Sequence, residues 1–419
     1  MRLLLRWLLA LGFCFLVLST LSAENWPRFR GPNGTGTSKD KDIPIEWNDV
    51  EGILWKVPLP GLGNSSPIVW GKNLFVQTGS TGERQLLCLD VATGQTNWAR
   101  SIPGIAAKIS AMNTLASSTP ATDGKRVYVA FWDGRDIAIV GYDFKGNVLW
   151  NRKLGPFVSQ HGAGASPVVY KEKVFYALDQ DGKSFVIALD GKTGETVWQA
   201  PREAFRACYS APMIWEKPGA PAELIVQSTT SLRSYDPNTG APNWNWVWPG
   251  MPLRTVASPV IWNNLVLACS GDGGGDRYMA AVKVVTEPFQ GGPPLPWANM
   301  VWDDKKKEFP YVPTPVVHQD HVYFVNDNGF AGCFEAATGK QVWYERIANK
   351  LFTASPVLID GRVYAPHESG DVYVFAASPT YHLLAKNSLG ERVRASPAVA
   401  DNRLFIRGEN HLFCIGKRK

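Results

Sequence analysis

The sequence has few charged residues, few histidines and no apolar run of membrane-spanning length. Asp, Glu, Lys and Arg make up 19% of the 419 residues, and six residues are histidines. The twelve-residue apolar run at 7–18 is too short to cross a bilayer, so the sequence predicts no membrane span. Without Arg2 and Arg6 the net charge is about +4, which is too small to favour nucleic-acid binding.

Cysteines are also few, and none forms an adjacent Cys-Cys pair or a C-x-x-C-H haem motif. Cys88, Cys333 and Cys414 follow the same apolar pattern in different parts of the chain and are predicted to be core residues. A disulfide between Cys208 and Cys269 is left open by the sequence. The cysteines therefore predict neither a disulfide framework nor a haem site.

A four-strand pattern at residues 165–198 is repeated along the chain. Two runs rich in Val, Phe and Tyr are followed by a turn, a third apolar run and a Thr-Gly turn that leads to Trp198. A small residue followed by proline begins each copy, at Ser66-Pro67, Thr119-Pro120, Ser166-Pro167, Ala211-Pro212, Ser258-Pro259, Thr314-Pro315, Ser355-Pro356 and Ser396-Pro397. Spacings of 41 to 56 residues are typical of the four-stranded blades of a β-propeller.

An acidic residue ends the third strand in most copies, and a glycine that can adopt positive φ follows it in a tight turn. A tryptophan stands four residues after that glycine in five copies, and Trp55 is its equivalent in the N-terminal strand. These tryptophans are predicted to wedge between neighbouring blades, where each can bury on the order of 200 Å². They are Trp55, Trp98, Trp150, Trp198, Trp244 and Trp343.

The two ends of the chain predict how the ring closes. The last copy begins at Ser396 and lacks a tryptophan strand, whereas residues 52–57, which include Trp55, resemble a fourth strand without its first three. Pairing the two removes an open sheet edge. We therefore predict an all-β, eight-bladed propeller of four-stranded antiparallel blades, closed by an N-terminal strand that completes the C-terminal blade.

Three regions follow from this reading: a signal peptide at 1–23, an N-terminal extension at 24–50 and the propeller at 51–419. The signal is indicated by Arg2 and Arg6, the apolar run and the small residues at 19–23. It predicts export to the periplasm or the extracellular space. The extension contains Trp26, Arg28 and Arg30 among Gly and Pro residues, and it could dock on the ring or form a loose linker.

The unit A-L-D-x-x-T-G-E-x-x-W, as at residues 188–198, resembles the tryptophan-docking repeat of bacterial pyrroloquinoline-quinone (PQQ) propellers. The resemblance covers essentially the whole chain after residue 23. It implies one of two branches, the quinoprotein dehydrogenases or the non-enzymatic BamB-like scaffold propellers. The dehydrogenase branch implies PQQ held by Ca²⁺, an Asp base and commonly two adjacent cysteines, and this chain lacks the cysteine pair.

No catalytic or metal constellation is evident. Oxygen ligands are available at Asp272, Asp276 and residues 326–328, but these lie in predicted hairpin turns, where Asp and Asn are favoured for geometry alone. Residues 179–182 lack the further ligands of a calcium loop. His318 and His321 flank another predicted turn. We therefore predict no catalytic residue and no metal site.

The residues just before each first strand are expected to line one mouth of the axial channel, and several are basic. Converging like charges attract an anion, although solvated loop charges would look the same in the sequence. Tyr311 and Phe352 at equivalent positions could stack on a ligand or plug the channel. The candidate ligand-binding residues are His161, Arg206, Arg254, Tyr311, Phe352 and Arg394, with Lys108, Lys350 and Arg392 nearby.

These observations predict a monomeric binding or scaffold module without a cofactor. Its expected partner is another protein, an anionic small molecule or a glycan, and not a nucleic acid. The alternative is an alcohol or sugar dehydrogenase that uses PQQ and calcium. A fold does not decide between these functions, because its repeated residues are structural.

Overall fold

The computed structural model describes residues 24–48, 51–229, 231–247, 254–272, 275, 277–285, 297–304 and 308–418. The predicted signal peptide, the insertion at 286–296 and the candidate ligand Asp276 lie outside the described residues. The chain forms the predicted all-β, eight-bladed propeller of four-stranded antiparallel blades. The blades are numbered here in chain order by their first strand.

The first four blades follow the repeat in sequence order. Blade 1 comprises Ile68–Trp70, Asn73–Gly79, Glu83–Asp90 and Thr96–Pro103. Blade 2 comprises Ala121–Thr122, Arg126–Trp132, Asp136–Asp143 and Val148–Pro156. Blade 3 comprises Val168–Tyr170, Lys173–Leu178, Ser184–Asp190 and Thr196–Arg202. Blade 4 comprises Met213–Trp215, Glu223–Gln227, Ser231–Tyr235 and Pro242–Val247.

The other four blades include both ends of the chain. Blade 5 comprises Val260–Trp262, Leu265–Gly271, Arg277–Val285 and Trp297–Asp304. Blade 6 comprises Val316–His318, His321–Val325, Phe330–Glu335 and Gln341–Arg346. Blade 7 comprises Val357–Ile359, Arg362–Pro366, Asp371–Ala376 and Leu383–Ser388, with Thr37–Ser38 added in parallel. Blade 8 comprises Ala398–Ala400, Arg403–Arg407, His411–Ile415 and the N-terminal strand Ile53–Pro58.

The N-terminal strand Ile53–Pro58 occupies the fourth position of blade 8. It pairs antiparallel with His411–Ile415, and Trp55 lies opposite Cys414. Tryptophans elsewhere have the same register, for example Trp98 opposite Cys88 in blade 1. The pairing predicted between residues 52–57 and the last copy of the repeat is therefore present in blade 8.

The tryptophans of the fourth strands link neighbouring blades. In six blades the indole N–H donates to a carbonyl in the last turn of the next blade, at 2.9 to 3.1 Å. The pairs are Trp55 with Val91, Trp98 with Phe144, Trp150 with Gly191, Trp198 with Pro237, Trp302 with Ala336 and Trp343 with Ser378. Each large apolar ring therefore buries its surface between two sheets while its polar N–H is satisfied.

The turn glycine is required where a tryptophan packs on it. Gly240 has φ of 74°, and a Cβ there would lie 2.5 Å from the Trp198 ring. Only glycine combines positive φ with so close an approach. The glycine and the tryptophan that follow each other in the sequence therefore contact different blades. The glycine packs against the tryptophan of the preceding blade, and the tryptophan packs against the next blade.

Blades 4 and 7 depart from this pattern. Trp244 of blade 4 donates its N–H to Glu223 of the same blade at 2.6 Å instead of reaching blade 5. Trp302, which lies beyond the insertion in blade 5, makes the regular contact with blade 6. Ala385 occupies the tryptophan position in blade 7. Trp47 of the extension is buried in the cluster against which Ala385 packs, so the extension supplies bulk that the blade lacks.

A ring of hydroxyl groups joins the blades near the axis. In six of the eight blades, the residue before the first-strand proline donates its backbone N–H to the side-chain hydroxyl of the equivalent residue in the next blade, at 2.9 to 3.1 Å. We call these hydroxyls the hydroxyl collar. Its members are Ser66, Thr119, Ser166, Ser258, Thr314, Ser355 and Ser396. The small residue of the repeat is therefore nearly always Ser or Thr because its hydroxyl holds the neighbouring blade.

Ala211 interrupts the collar in blade 4, and no described residue accepts the backbone N–H of Ser166. Replacing Ala211 by serine is expected to raise the free energy of unfolding by about 1 kcal/mol, because it supplies the missing acceptor. Urea unfolding followed by tryptophan fluorescence measures the change. Ala257, which is buried one residue before Ser258, provides a control. The prediction is contradicted if A211S does not stabilise the protein, or if A257S stabilises it equally.

Residues 26–38, here called the N-terminal plug, cross the bore of the propeller. Trp26 pairs with Val69 of blade 1, and Pro27 accepts the N–H of Thr122 in blade 2. Arg28 donates to the carbonyl of Pro212, which precedes the first strand of blade 4. These partners lie on or beside innermost strands of different blades. Of the two alternatives left by the sequence, a docked extension or a loose linker, the docked one is therefore observed.

Arg30 is the most connected side chain of the plug. Its guanidinium donates to five carbonyls, two within the plug and three in blades 6 and 7, namely Gly34, Thr35, Thr314, Pro315 and Pro356. Burial without a carboxylate partner lowers the pKa of Arg30 to about 9. Gly36, with φ of 72°, lies so close that a Cβ would be 2.4 Å from this guanidinium. Residues 34–36 of the plug therefore pack around the Arg30 guanidinium.

The five described cysteines are buried and free, so no disulfide joins Cys208 and Cys269. Burial raises the pKa of Cys208 to about 12 and that of Cys333 to about 11. Cys88, Cys333 and Cys414 lie in third strands of blades 1, 6 and 8, as the sequence predicts. These thiols fill space in the sheets and are not activated nucleophiles.

Candidate functional site

A pocket of about 370 Å³ lies in the bore, between the plug and the loops that precede the first strands. Residues that precede the first strands form its wall, and Phe29 of the plug forms its floor. The loops before the first strands contribute its mouth, with His161, Arg254, Tyr311 and Arg394 among the lining residues. Four of the six predicted ligand-binding residues therefore meet in one pocket, which we call the axial pocket.

Arg254 lies at this mouth without a carboxylate partner. Its guanidinium donates to the side-chain oxygen of Gln160 at 3.1 Å, and no described Asp or Glu lies within ion-pair distance. Its backbone is fixed by two hydrogen bonds to Gly271, at 3.1 and 3.3 Å. The Tyr311 phenol is a second side-chain partner. Because both of these partners are neutral, the guanidinium keeps its charge available for an anion.

Tyr311 packs beside Arg254. Its ring lies on Gly271, where a Cβ would be 2.9 Å away, and the Arg277 guanidinium lies 5.4 Å from the ring centre. Burial raises the pKa of Tyr311, while Arg254 opposes the rise. Tyr209 on the same wall donates to or accepts from Ser159 at 2.8 Å, and burial raises its pKa to about 12. Both phenols are therefore neutral hydrogen-bonding groups.

Arg394 joins two loops of the mouth that belong to non-adjacent blades. It pairs with buried Glu368 at 3.0 Å and donates to the carbonyl of Ala111 at 2.9 Å. The loop that contains Ala111 and Met112 belongs to blade 2, whereas Arg394 precedes blade 8. Arg394 thus holds this loop across part of the mouth, and Glu368 neutralises most of its charge.

The pKa of His161 is lowered by its surroundings at the mouth. Burial lowers its pKa, and Arg254 lowers it further. Asp181 acts in the opposite direction, and Lys108 adds a smaller lowering effect. The imidazole is therefore neutral at neutral pH. Its backbone carbonyl accepts the Asn113 side-chain N–H at 2.7 Å, which ties the loop of blade 2 to that of blade 3.

Arg206 and Phe352 lie outside the axial pocket. Arg206 is 4.0 Å from the carboxylate of Asp181 and packs over the Phe205 ring. Phe352 is fully buried against His367 and Tyr373, so it is a core residue. Lys108, Lys350 and Arg392 do not line the pocket either, and Arg392 pairs with Glu409 at 3.7 Å.

Several lining residues were not identified from the sequence. They are Phe29, Met112, Asn113, Tyr209 and six members of the hydroxyl collar. The collar had a visible signal, because Ser or Thr precedes proline in seven of the eight copies. Phe29 had none, since nothing local shows that the extension enters the bore.

The carboxylates considered as metal ligands have other partners. Asp179 forms a buried ion pair with Arg202 at 2.8 Å, and Asp327 pairs with Arg277. Asn326 accepts the backbone N–H groups of Asn328 and Phe330 at 3.0 Å, as a turn residue does. Within the described part of the chain, no group of three His, Cys, Asp or Glu residues is placed to hold a metal ion.

A protein-family model described as outer membrane protein assembly factor BamB matches residues 44–156, 106–343 and 309–379. No curated protein sequence matches the chain significantly. Similar solved structures include BamB from Moraxella catarrhalis, at 14% identity and a TM-score of 0.61, with 87% of this chain and 99% of that chain covered. Quinohemoprotein alcohol dehydrogenase from Comamonas testosteroni has 12% identity and a TM-score of 0.63, with 94% and 81% covered. At such low identities, the structural similarity shows a shared fold alone.

Proposed function

Because this chain belongs to the PQQ-repeat family whose model is described as outer membrane protein assembly factor BamB, we propose that it is an exported binding propeller. It holds an acidic segment of a partner protein at the mouth of the axial pocket and catalyses no reaction of its own. The observation that carries this proposal is Arg254, a fixed guanidinium at the mouth with a neutral amide and a neutral phenol as its side-chain partners. Export is supported by the signal-like sequence at 1–23.

Exposed apolar side chains around the mouth support a protein partner. Ile105, Val158 and Phe205 are 53 to 64% exposed, and each lies in a loop before a first strand. An apolar rim around a charged centre can bury surface on a partner while the charge selects it. None of the helices in the described residues has the length and hydropathy to cross a membrane.

The residues of the pocket do not fit the cofactor of the alternative function. Calcium-held PQQ needs several oxygen ligands, among which carboxylates are preferred. The described lining of the axial pocket includes no Asp or Glu. This composition supports the binding function over a PQQ-dependent dehydrogenase, and no catalytic step is derived for the chain.

The proposal is tested with a fluorescein-labelled peptide of alternating Glu and Phe residues in an anisotropy titration. We expect binding that weakens with salt and that is at least tenfold weaker in R254Q, since a desolvated charge pair is lost. Arg135 is a matched control because it lies in a hairpin on the same face and is 77% exposed. R135Q is expected to change the affinity less than twofold.

Two results would overturn the proposal. Equal losses in R254Q and R135Q would mean that the peptide binds the face non-specifically. Dye-coupled oxidation of alcohols after addition of PQQ and Ca²⁺ would instead identify an enzyme.

A further inference from the structure

The hydroxyl collar carries hydrogen-bond donors that nothing described in the protein uses. Five of its members in the axial pocket accept a backbone N–H from a neighbouring blade, namely Thr119, Ser166, Thr314, Ser355 and Ser396. A hydroxyl has one hydrogen to donate besides its two acceptor sites. Among the described residues no acceptor for any of these five hydrogens is found.

Ser66 is the clearest case. It is 1% exposed and lines the axial pocket, and its hydroxyl oxygen has no hydrogen-bond partner in the described protein. Thr353, also on the pocket wall, has a buried hydroxyl oxygen that likewise has no hydrogen-bond partner in the described protein. Buried polar groups in proteins are nearly always satisfied. Unused hydroxyl donors therefore converge on the lower pocket, where an acceptor from outside the chain would satisfy them.

The charges above the collar indicate what kind of acceptor. Oxygen atoms without hydrogens, as in a carboxylate, accept from several donors at once. Of the two arginines at the mouth, Arg394 is paired with Glu368, whereas Arg254 has no described carboxylate partner. His161 is neutral at neutral pH. The pocket therefore presents about one uncompensated positive charge, which matches a singly charged anion better than a dianion.

We propose that the hydroxyl collar binds the carboxylate oxygens of a ligand that enters the axial pocket past Arg254. Phe29 closes the site below, and Val256 and Val312 on the wall fit an apolar stem behind the carboxylate. This inference rests on the proposed function and narrows it, because it identifies the inserted group as a carboxylate that passes the mouth and reaches the collar.

The test uses trifluoroacetate as the probe and follows its ¹⁹F linewidth during titration with the full-length mature protein. We expect broadening that acetate reverses and that sulfate reverses less well at equal ionic strength. S66A is expected to raise the apparent Kd at least fivefold although no protein hydrogen bond is lost. S355A is expected to do the same.

Ser258 gives a matched control for the structural part of the effect. Its hydroxyl accepts the N–H of Ala211 at 3.1 Å, as Ser355 accepts that of Thr314 at 2.9 Å, but Ser258 does not line the axial pocket. S258A should therefore keep the wild-type Kd within twofold. Urea unfolding of each variant verifies that it is folded.

Each other outcome contradicts the inference. No broadening, or equal Kd values in wild type, S66A and S355A, would mean that the collar holds water only or that the ion is adventitious. Stronger displacement by sulfate than by acetate would reject the carboxylate. If the acidic peptide still binds through Arg254 in these cases, the proposed function stands and only the collar site falls. If R254Q also leaves peptide binding unchanged, both fall.

Discussion

Replacing Trp198 by alanine is expected to lower the free energy of unfolding by about 4 kcal/mol, as is typical when a buried Trp is removed. Trp198 is 8% exposed and donates its indole N–H to Pro237 of the next blade at 3.1 Å. Its ring lies on Gly240 and near the rings of Phe175 and Tyr235, at 5.9 and 6.4 Å. Alanine would leave a cavity between blades 3 and 4, and the change is measured by urea unfolding.

Val197 is the natural control for this prediction. It precedes Trp198 on the same strand but is 44% exposed. V197A should change the free energy of unfolding by no more than about 0.5 kcal/mol. If W198A and V197A unfold at the same urea concentration, the tryptophan does not act as a wedge between blades.

Replacing Arg30 by alanine is expected to lower the free energy of unfolding by about 3 kcal/mol, because five carbonyls would lose their donor. The loss is smaller than the sum of five bonds, since removing the guanidinium also removes the desolvation that lowers its pKa. R30K should fall between wild type and R30A, because a lysine ammonium has three donors instead of five. Urea unfolding and limited proteolysis of residues 24–38 provide the measurement.

Arg135, which is exposed in a hairpin of blade 2 and has no contact with the plug among the described residues, is the control for R30A. R135A should leave both the unfolding midpoint and the proteolysis pattern unchanged. Wild-type stability in R30A, with residues 24–38 still protected, would show that the arginine does not hold the plug.

Most of the fold could be predicted because its signals are local and repeated. Three features recur in most blades: the Ser or Thr before the first-strand proline, the turn glycine and the Trp that follows it. Each is a weak signal alone, but its repetition at a regular spacing predicts the blades. Trp302 was less visible because an insertion separates it from its third strand. The different contact of Trp244 depends on Glu223, and nothing in the repeat indicates that partner.

The site was only partly predictable. Loops of unequal length precede the first strands, so a residue's place in the loop does not determine whether it faces the axis. Arg254 and Arg394 reach the axial pocket, whereas Arg206 pairs with Asp181 and Phe352 enters the core. The floor was unpredictable for another reason, since Phe29 reaches the bore through contacts with blades distant in the chain.

By itself, the sequence determined the number of blades, the strands and turns within each, and the pairing of the strand at Ile53–Pro58 with the last strand. These properties follow from backbone preferences and apolar periodicity, which neighbouring residues encode. Only the tertiary structure decided that the bore is plugged, that hydroxyls gather above the plug and that one arginine at the mouth lacks a described carboxylate partner. These properties depend on contacts between loops of different blades and the N-terminal plug, which are far apart in the sequence, so no single stretch of chain encodes them.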